Sequence, residues 1–306
     1  MSRTEIEATP TGVPLQFFEE LRRIRAFEPG RIQAAHASRQ RRRLLIDGRL
    51  FVIAADHPAR GALGVGGRQL AMGDRYDLLN RLVIALSRPG VDGVLGTPDI
   101  IDDLALLGAL DDKIVVGSMN RGGLKGSVFE MDDRFTGYDI DGIVRDRLDF
   151  AKSLLRVNLD DHASVWTMQR QAEAVRAAAA AEIPIMIEPF MSKWRDSKSV
   201  NDLSTEAVIT SVSIASGLGD TSAYTWLKIP VVEDMEKVMA ATTLPTLLLG
   251  GEPSGDSGET YRRWAHALEL PGVRGLVVGR TLVYPPDGDV AAAVDTAASL
   301  VHGHTS

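Results

Sequence analysis

The sequence predicts an α/β protein, a (β/α)8 TIM barrel with an N-terminal helical extension, on three observations. Eight short apolar runs alternate with helical stretches over residues 44–306. Each run is apolar on both faces, as strands of a buried parallel sheet are. No break in composition divides these units, and the sequence lacks the GxGxxG and GxxxxGK[ST] loops that an open, doubly wound sheet usually carries. A chain of 306 residues accommodates a barrel of about 250 residues with additions.

The first 43 residues are predicted to be a tail and a helix that packs on the barrel, with the barrel itself spanning 44–306. The pattern is typical of a loose tail over 1–15 and a helix over 16–43, and the helix ends in a basic run: Arg39, Arg41, Arg42 and Arg43. Two interpretations are open for this run, a nucleic-acid contact and a solvated helix end, where cations suit the helix dipole. The second is favoured because the chain is acidic overall, with a net charge of −7.

The barrel elements follow in order along the chain. A turn signal at Asp47-Gly48 predicts a short hairpin over 44–50 at the base of the barrel. The eight predicted strands are Phe51–Ala55, Val91–Leu95, Lys113–Gly117, Ser153–Asn158, Ile183–Glu188, Tyr224–Ile229, Thr246–Gly250 and Gly275–Gly279. Helices are clearest at Thr167–Ala181, at Ser204–Ser216 behind a serine cap, at Thr260–Leu268 and at Val290–Val301. The longest irregular stretch, 120–141, follows the third strand, on the face where barrels carry their active sites.

Composition excludes several classes of function. The acidic balance argues against a nucleic-acid partner, and no apolar run approaches the roughly 20 residues that span a bilayer. The sequence contains no cysteine, which excludes disulfides, thiolate metal sites and a cysteine nucleophile. His57 has no HxH or HxxxH partner, so we expect no metal site and no cofactor. The N-terminus lacks a signal-peptide pattern, and we expect a cytoplasmic protein.

Lys228 is the strongest chemical signal. It lies in the sixth predicted strand, where alternation places Tyr224, Trp226 and Lys228 on one face. A lysine inside a buried strand is rare unless it is paired or functional. In a barrel it would serve as an amine nucleophile or as a fixed positive charge for a phosphate or carboxylate. The structural alternative is a lysine that is paired with an acidic residue of the core.

Other polar residues stand at the ends of neighbouring predicted strands. Glu188 ends the fifth strand, next to Lys228, and Arg156 lies on the fourth. Asp56 follows the first strand, and for this residue a structural N-cap is an equally good interpretation. Since catalytic residues of barrels sit at the C-terminal ends of strands, these side chains are predicted to meet.

Two glycine-containing pairs follow the last two strands, at Gly250-Gly251 and Gly279-Arg280. Many barrels bind phosphate in these two loops, on backbone N–H groups that glycine leaves accessible. Arg280 could add a bidentate contact to a phosphate. The alternative is that both pairs are tight turns and that Arg280 only caps its loop.

Taken in order, these fragments resemble the class I (Schiff-base) aldolases, a group that includes archaeal-type fructose-bisphosphate aldolase and tagatose-bisphosphate aldolase. The matching text lies at the ends of five predicted strands: Ala-Ala-Asp-His-Pro-x-Arg-Gly (54–61), Ile-Glu-Pro (187–189), Leu-Lys-Ile-Pro (227–230), Gly-Gly (250–251) and Val-Gly-Arg (278–280). More closely, the chain looks like the aldolase-like barrel proteins of actinobacterial inositol-catabolism clusters. Those proteins are often labelled deoxyribose-phosphate aldolases. The true deoxyribose-phosphate aldolase has a second lysine on the strand next to its Schiff-base lysine.

The resemblance implies roles for particular residues. The Schiff-base lysine falls on Lys228, the acid/base carboxylate on Glu188 and the aspartate of the first strand on Asp56. Phosphate binding falls on Gly250, Gly251, Gly279 and Arg280. The tagatose-bisphosphate branch has a lysine on the fourth strand, where we align Arg156. An arginine there could bind a substrate oxygen, but it cannot transfer a proton at neutral pH.

The resulting expectation is a metal-independent lyase that cleaves a phosphorylated keto sugar or keto acid through an imine on Lys228. By resemblance, the substrate is 5-dehydro-2-deoxy-phosphogluconate, cleaved to dihydroxyacetone phosphate and malonate semialdehyde. The alternatives are a ketose-bisphosphate aldolase, a phosphosugar isomerase or epimerase in which Lys228 is only electrostatic, and a non-catalytic sugar-phosphate sensor. Arg60, Asn120 and Arg121 are candidates for the far end of the substrate. Related aldolases assemble into dimers or larger rings, so we expect a homo-oligomer.

Overall fold

The predicted (β/α)8 barrel is confirmed. A computed structural model describes residues 13–120, 123–251 and 257–303, and within these ranges eight parallel strands close into a barrel. Pairing runs around the ring from β4 through β3, β2, β1, β9, β8 and β7 to β5, and β5 pairs with β4 to close it. The strands of this ring are β1 (Leu50–Ala54), β2 (Gly93–Gly96), β3 (Ile114–Ser118), β4 (Phe150–Val157), β5 (Ile185–Arg195), β7 (Thr225–Pro230), β8 (Thr246–Leu249) and β9 (Val273–Val278).

Helices cover the outside of the ring. They are α1 (Leu15–Phe27), α2 (Gly30–Ser38), α3 (Arg75–Ser87), α4 (Pro98–Leu106), α5 (Ile140–Arg145), α6 (Ala163–Ala180), α7 (Thr205–Ser216), α8 (Met235–Ala240), α9 (Ser257–Leu268), α10 (Arg280–Val283) and α11 (Val290–His302). Short polar side chains fix several of their first turns, including the predicted cap at Ser204, which accepts a hydrogen bond from the amide of Ala207. In the part of the chain that is described, no helix combines the length and the apolar character needed to cross a membrane.

The strand predictions hold for the barrel but miss a hairpin. The fifth strand does not stop at Glu188 but continues to Arg195 and turns back into β6 (Lys198–Asn201), which pairs with it antiparallel. The two turn residues, Asp196 and Ser197, both have positive φ, as a two-residue hairpin turn requires. No apolar run marks this hairpin in the sequence, because the hairpin is mostly polar and extends beyond the core of the barrel.

The N-terminal helix prediction is only partly right. The segment 16–43 contains two helices, not one, and the break falls at Glu28, the residue before Pro29, because a proline disfavours helical geometry at the preceding residue. The second helix ends at Ser38, so the basic run follows it in non-helical backbone. Arg39 is 4% exposed, and the expectation of a solvated helix end is therefore wrong for this residue.

The basic run instead neutralises carboxylates at the N-terminal end of the barrel. Arg39 and Arg41 bind the two oxygens of Asp149, at 3.0 and 2.7 Å, and Arg42 lies 2.8 Å from Asp92. Both aspartates are buried, and each accepts a hydrogen bond from a strand amide, that of Phe51 for Asp92 and that of Val115 for Asp149. The arginines supply positive charge that offsets the cost of burying these carboxylates.

The hairpin predicted at 44–50 does not form. Residues 44–49 contain no strand, and Leu44 and Leu45 pack against the lower layer of the barrel interior. That interior is apolar, and its members come from all eight strands of the ring: Leu50, Val52, Ala54, Leu95, Ile114, Val116, Phe150, Met186, Trp226, Leu247 and Val277. The segment that joins the N-terminal helices to β1 therefore closes the bottom of the barrel.

The last helix is fixed to this end of the barrel by His302. Its Nδ1 lies 2.6 Å from Asp47 and its Nε2 lies 3.1 Å from Asp92. The Asp92 carboxylate raises the pKa of His302 to about 9, with a further contribution from Asp47 and against the effect of burial.

We predict that the free energy of unfolding falls as the pH rises through this pKa. A histidine whose folded pKa exceeds its unfolded value of about 6.5 stabilises the protein fully below that value, and the contribution is lost as the pH rises through about 9. Allowing for partial solvent screening, we expect a loss of about 2 kcal/mol, measured by urea denaturation across this range. The His302→Gln variant should lack this slope, whereas His266→Gln, which changes an exposed histidine of α9, should keep it. Equal slopes in all three proteins would contradict the assignment.

Candidate active site

A cavity of about 780 Å³ opens at the C-terminal ends of the barrel strands. The hairpin β5–β6 forms one wall, and the segments after β8 and β9 form another. Most of the site residues predicted from the sequence line this cavity: Asp56, Arg60, Arg156, Glu188, Lys228, Gly250, Gly251, Gly279 and Arg280. Asn120 is not among the lining residues, and Arg121 lies outside the residues that the structure describes.

A chain of alternating charges crosses the floor of the cavity. Lys228 donates to Glu188 Oε1 at 2.7 Å, and the other oxygen of Glu188 lies 2.6 Å from the ammonium of Lys152. Lys152 in turn lies 3.2 Å from Asp56, which also accepts a hydrogen bond from Ser118 at 2.9 Å. All four charged side chains are buried or nearly so, with Glu188 the most exposed at 12% of its side chain.

The period of the strands places these charges together. On β4, β5 and β7, the residues two positions before Lys152, Glu188 and Lys228 are Phe150, Met186 and Trp226, and all three belong to the apolar interior. Because side chains alternate along a strand, the next inward position on each strand is the charged one. The rings of Phe150 and Trp226 pack edge to face with centroids 5.4 Å apart, which gives the charged layer an apolar floor.

Burial and neighbouring charges decide the protonation states. Burial by itself would raise the pKa of Glu188, but the ammonium groups of Lys152 and Lys228 outweigh it and hold that pKa well below its usual range. Burial lowers the pKa of His57 to about 3, despite the nearby Asp56 carboxylate, and Arg280 and Lys228 contribute to the shift. At neutral pH, Glu188 is therefore a carboxylate and His57 is a neutral imidazole.

Lys152 is the charged residue of this layer that the sequence analysis does not single out. The predicted fourth strand begins at Ser153, whereas the strand begins at Phe150 and includes Lys152 in its inward register. Lys152 contacts Glu188 and lines the cavity, so this strand presents a lysine to the site in addition to Arg156. The alternation of side chains along the strand is the signal that could have identified Lys152. It places alternate residues on one face of a continuous strand: Phe150, Lys152, Leu154 and Arg156.

Arg156 instead binds the long loop that follows β3. Its guanidinium donates to Asp133 Oδ2 at 2.9 Å and to Oδ1 at 2.5 Å, and it contacts both the carboxylate and the backbone oxygen of Glu130. Asn120 has a similar role, since its amide accepts from the amide of Leu154 at 2.7 Å and donates to the Asp133 carbonyl at 3.0 Å. These two residues hold the described part of the loop, 123–139, against β4.

The glycines after β8 and β9 are required by the backbone. A Cβ at Gly279 would lie 2.4 Å from the carbonyl oxygen of Ala54, and Gly251 has a φ of +69°, which favours glycine. Gly279 directly precedes Arg280, the first residue of α10, and its carbonyl accepts from the amides of Leu282 and Val283. Both segments line the cavity. They therefore present backbone and the Arg280 side chain to the same space as Lys228.

We predict that Arg156→Met releases the 123–139 loop. The substitution leaves the buried Asp133 carboxylate without the arginine that binds it, and Glu130 then has only Arg60, at 4.0 Å; removing one partner of a buried ion pair costs about 3 kcal/mol or more in comparable sites. Chymotrypsin should cut the variant at the half-exposed Phe129 at least about tenfold faster than the wild type, because local opening becomes more frequent. The matched control Arg134→Met removes only an exposed ion pair with Asp132, and chymotrypsin should cut it at the wild-type rate. Equal cleavage of both variants would show that Arg156 does not hold the loop.

Several solved structures are similar to this chain. A crystal structure of Cgl0159 from Corynebacterium glutamicum (Brevibacterium flavum) is 64% identical, with a TM-score of 0.93 over 95% of this chain and 98% of that chain. A Schiff base-forming fructose-1,6-bisphosphate aldolase is 18% identical, with a TM-score of 0.65 over 89% of this chain and 100% of that one. An archaeal fructose 1,6-bisphosphate aldolase is 20% identical, with a TM-score of 0.62 over 84% and 94%. At these identities, the two aldolases share the fold.

No curated protein matches the chain. The family model described as Cgl0159-like matches residues 48–298, which include every strand of the barrel and the whole charged layer. Together with the 64% identity to Cgl0159 itself, this match shows that the chain belongs to the Cgl0159-like family.

Proposed function

We propose that this protein is a class I aldolase that forms an imine between Lys228 and the carbonyl carbon of a phosphorylated substrate. The observation that carries the proposal is the buried chain Asp56–Lys152–Glu188–Lys228, which opens onto a large cavity. An imine mechanism needs an amine that can lose its proton and a group nearby that can accept one. The structural similarity to Schiff base-forming aldolases supports the same class at the level of the fold.

Lys228, rather than Lys152, is the proposed nucleophile. Lys152 bridges the carboxylates of Asp56 and Glu188, so moving its ammonium group would break two ion pairs. Lys228 is paired with Glu188 at 2.7 Å, and its strand is next to β8 in the ring. A carbonyl group on Lys228 would therefore lie close to the glycine segments that we propose bind phosphate.

Glu188 is the proposed acid/base group. It is hydrogen-bonded to the Lys228 ammonium and can accept its proton, which leaves a neutral amine for attack. Loss of the positive charge on Lys228 removes one of the two cations that depress the pKa of Glu188, so the carboxyl then holds a proton more readily. Lys152, 2.6 Å from the other oxygen of Glu188, holds the carboxyl in its orientation. Asp56 is one ion pair further from Lys228 and is the alternative base.

The reaction then follows from the positions of these groups. The Lys228 amine adds to the ketone carbon, Glu188 returns its proton to the departing hydroxyl, and water leaves to give a protonated imine. Glu188, again a carboxylate, removes the proton from the hydroxyl on the far carbon of the breaking bond. The carbon–carbon bond electrons move toward the imine, so an aldehyde departs and an enamine remains. Glu188 then gives this proton to the enamine carbon, and addition of water releases dihydroxyacetone phosphate and the Lys228 amine.

The phosphate group is proposed to bind at Gly250, Gly251, Gly279 and Arg280. Backbone amides at the start of a helix and an arginine are favourable partners for a phosphate dianion. A phosphate bound at the ends of β8 and β9 would hold the ketone next to Lys228 on the adjacent strand β7. Attack by the Lys228 amine then becomes effectively intramolecular.

The proposed substrate is a phosphorylated keto acid, with 5-dehydro-2-deoxy-phosphogluconate as the specific candidate and malonate semialdehyde as the second product. This identity rests on the sequence resemblance to barrel proteins of inositol catabolism. The cavity supports an anionic far end, because Arg60 and Lys125 line it together with Arg156. A ketose bisphosphate shares this property and is the alternative substrate.

Borohydride trapping tests the imine. We expect dihydroxyacetone phosphate and borohydride to give a covalent adduct, detected by intact mass, that peptide mapping places on Lys228. The Lys228→Met variant should give no adduct, because it lacks the amine, while Lys237→Met, which changes an exposed lysine of α8, should give the wild-type yield. An adduct on Lys152 would contradict the assignment of the nucleophile.

Absence of any adduct would overturn the aldolase proposal. If dihydroxyacetone phosphate still binds, as measured by calorimetry, Lys228 acts only as a fixed charge. Proton exchange on the bound sugar phosphate without a trappable imine would then identify an isomerase or epimerase, and binding with no exchange would identify a sensor.

A substrate panel tests the finer assignment. With dihydroxyacetone phosphate as donor, we expect malonate semialdehyde to give a kcat/KM at least about tenfold above that for glyceraldehyde 3-phosphate, a difference of about 1.4 kcal/mol. Unphosphorylated dihydroxyacetone should react at least about a hundredfold more slowly than the phosphate, because the anchor on β8 and β9 is lost. Preference for glyceraldehyde 3-phosphate would assign a ketose-bisphosphate aldolase instead. Equal rates for the two donors would contradict the phosphate site.

A further inference from the structure

The hairpin β5–β6 carries a polar residue into the wall of the cavity. Asn201, the last residue of β6, lines the cavity and is paired across the hairpin with Ser192, which is 3% exposed. The Ser192 hydroxyl donates to Asn201 Oδ1 at 2.8 Å. This hydrogen bond fixes the amide orientation, so that its Nδ2 group is the end left for another partner.

The Nδ2 group is an available donor. Among the described residues, the only hydrogen bond made by the Asn201 side chain is the one from Ser192 to Oδ1. A half-buried amide that lines a cavity, with one end fixed and two N–H donors unused, is suited to bind an oxygen of a ligand.

The hairpin is a firm support for such a contact. Trp194 donates to Asp161 at 2.6 Å, which joins the hairpin to the segment after β4, and the Ser199 hydroxyl lies 2.8 Å from the sulfur of Met131 in the loop after β3. Both contacts lie on the same face of the hairpin as Ser192 and Asn201, because cross-strand partners share a face. This face is therefore the one turned toward the barrel.

The order of strands around the ring places Asn201 relative to the chemistry. Lys228 is on β7, with β8 and β9 on one side of it and β5 on the other. A substrate with its phosphate on β8 and β9 and its carbonyl on Lys228 extends past Glu188 toward the hairpin that continues β5. The part of the substrate beyond the breaking bond, which leaves as the aldehyde, therefore reaches Asn201.

We propose that Asn201, oriented by Ser192, is a specificity-determining residue that donates a hydrogen bond to an oxygen of the aldehyde fragment. The inference rests on the proposed aldolase function and extends it, because it separates the two halves of the substrate. Asn201 has no role in forming the imine with dihydroxyacetone phosphate, and its effect is confined to the step that involves the aldehyde.

The test uses Asn201→Asp, which keeps an acceptor for Ser192 but replaces the N–H donors with a negative charge, together with Asn201→Leu, which removes the donors without adding a charge. Two rates are compared in the full-length protein: exchange of the dihydroxyacetone phosphate methylene protons with deuterium oxide, followed by NMR, and condensation with malonate semialdehyde. We expect exchange and borohydride trapping to stay within about twofold of the wild type. We expect kcat/KM for the aldehyde to fall by about ten- to a hundredfold, as loss of a hydrogen bond to an anionic oxygen predicts.

Two further variants sharpen the result. Ser192→Ala should lower kcat/KM for the aldehyde by a smaller factor, of about three- to tenfold, because the amide keeps its donors but loses its fixed orientation. Lys198→Ala, an exposed change in the same hairpin that does not line the cavity, should leave both rates unchanged.

The outcomes separate the two proposals. Equal losses of exchange and condensation in Asn201→Asp would show a general effect on the site and overturn the specificity role, as would no loss of either rate. If the wild-type protein neither exchanges protons nor forms an adduct, the aldolase function itself fails, and the role of Asn201 fails with it.

Discussion

The alternation of buried charges from Asp56 through Lys152 and Glu188 to Lys228 is the interaction on which the rest of the site depends. Lys152, Glu188 and Lys228 lie on three different strands of the ring and Asp56 follows the end of β1, each two residues beyond a member of the apolar interior. None of them could be buried alone, since an unpaired ion in the interior costs several kcal/mol. As a row of successive ion pairs, the four groups stabilise one another. Lys228 is the last member of this row and lies beside the segments proposed to bind phosphate.

The two ends of the barrel use charge for different purposes. At the N-terminal end, Arg39, Arg41 and Arg42 bind Asp149 and Asp92, and these pairs join the N-terminal extension and the last helix to the sheet. At the C-terminal end, Arg156 has a comparable structural task, because it binds the loop after β3. The charges of Lys152, Glu188 and Lys228 instead face a cavity, and we propose that a substrate exchanges protons with them there.

The resemblance and the structure support each other at different levels. The resemblance assigns roles to Lys228, Glu188 and Asp56, and the geometry shows that these residues belong to one connected layer. The structure adds Lys152 as the link between them, and it shows that Arg156 and Asn120 also hold the loop after β3. The proposed division of the cavity into a phosphate side and an aldehyde side rests on the order of strands.

The sequence by itself determined the barrel, its eight strands and most residues of the candidate site, because buried parallel strands and their polar ends leave a strong local pattern. Only the tertiary structure showed the hairpin β5–β6, the buried arginines near Asp149 and the place of Lys152. These features depend on partners far apart in the chain. A lysine beside a strand and a lysine inside it look alike until the register is fixed, and register is set by pairing between strands.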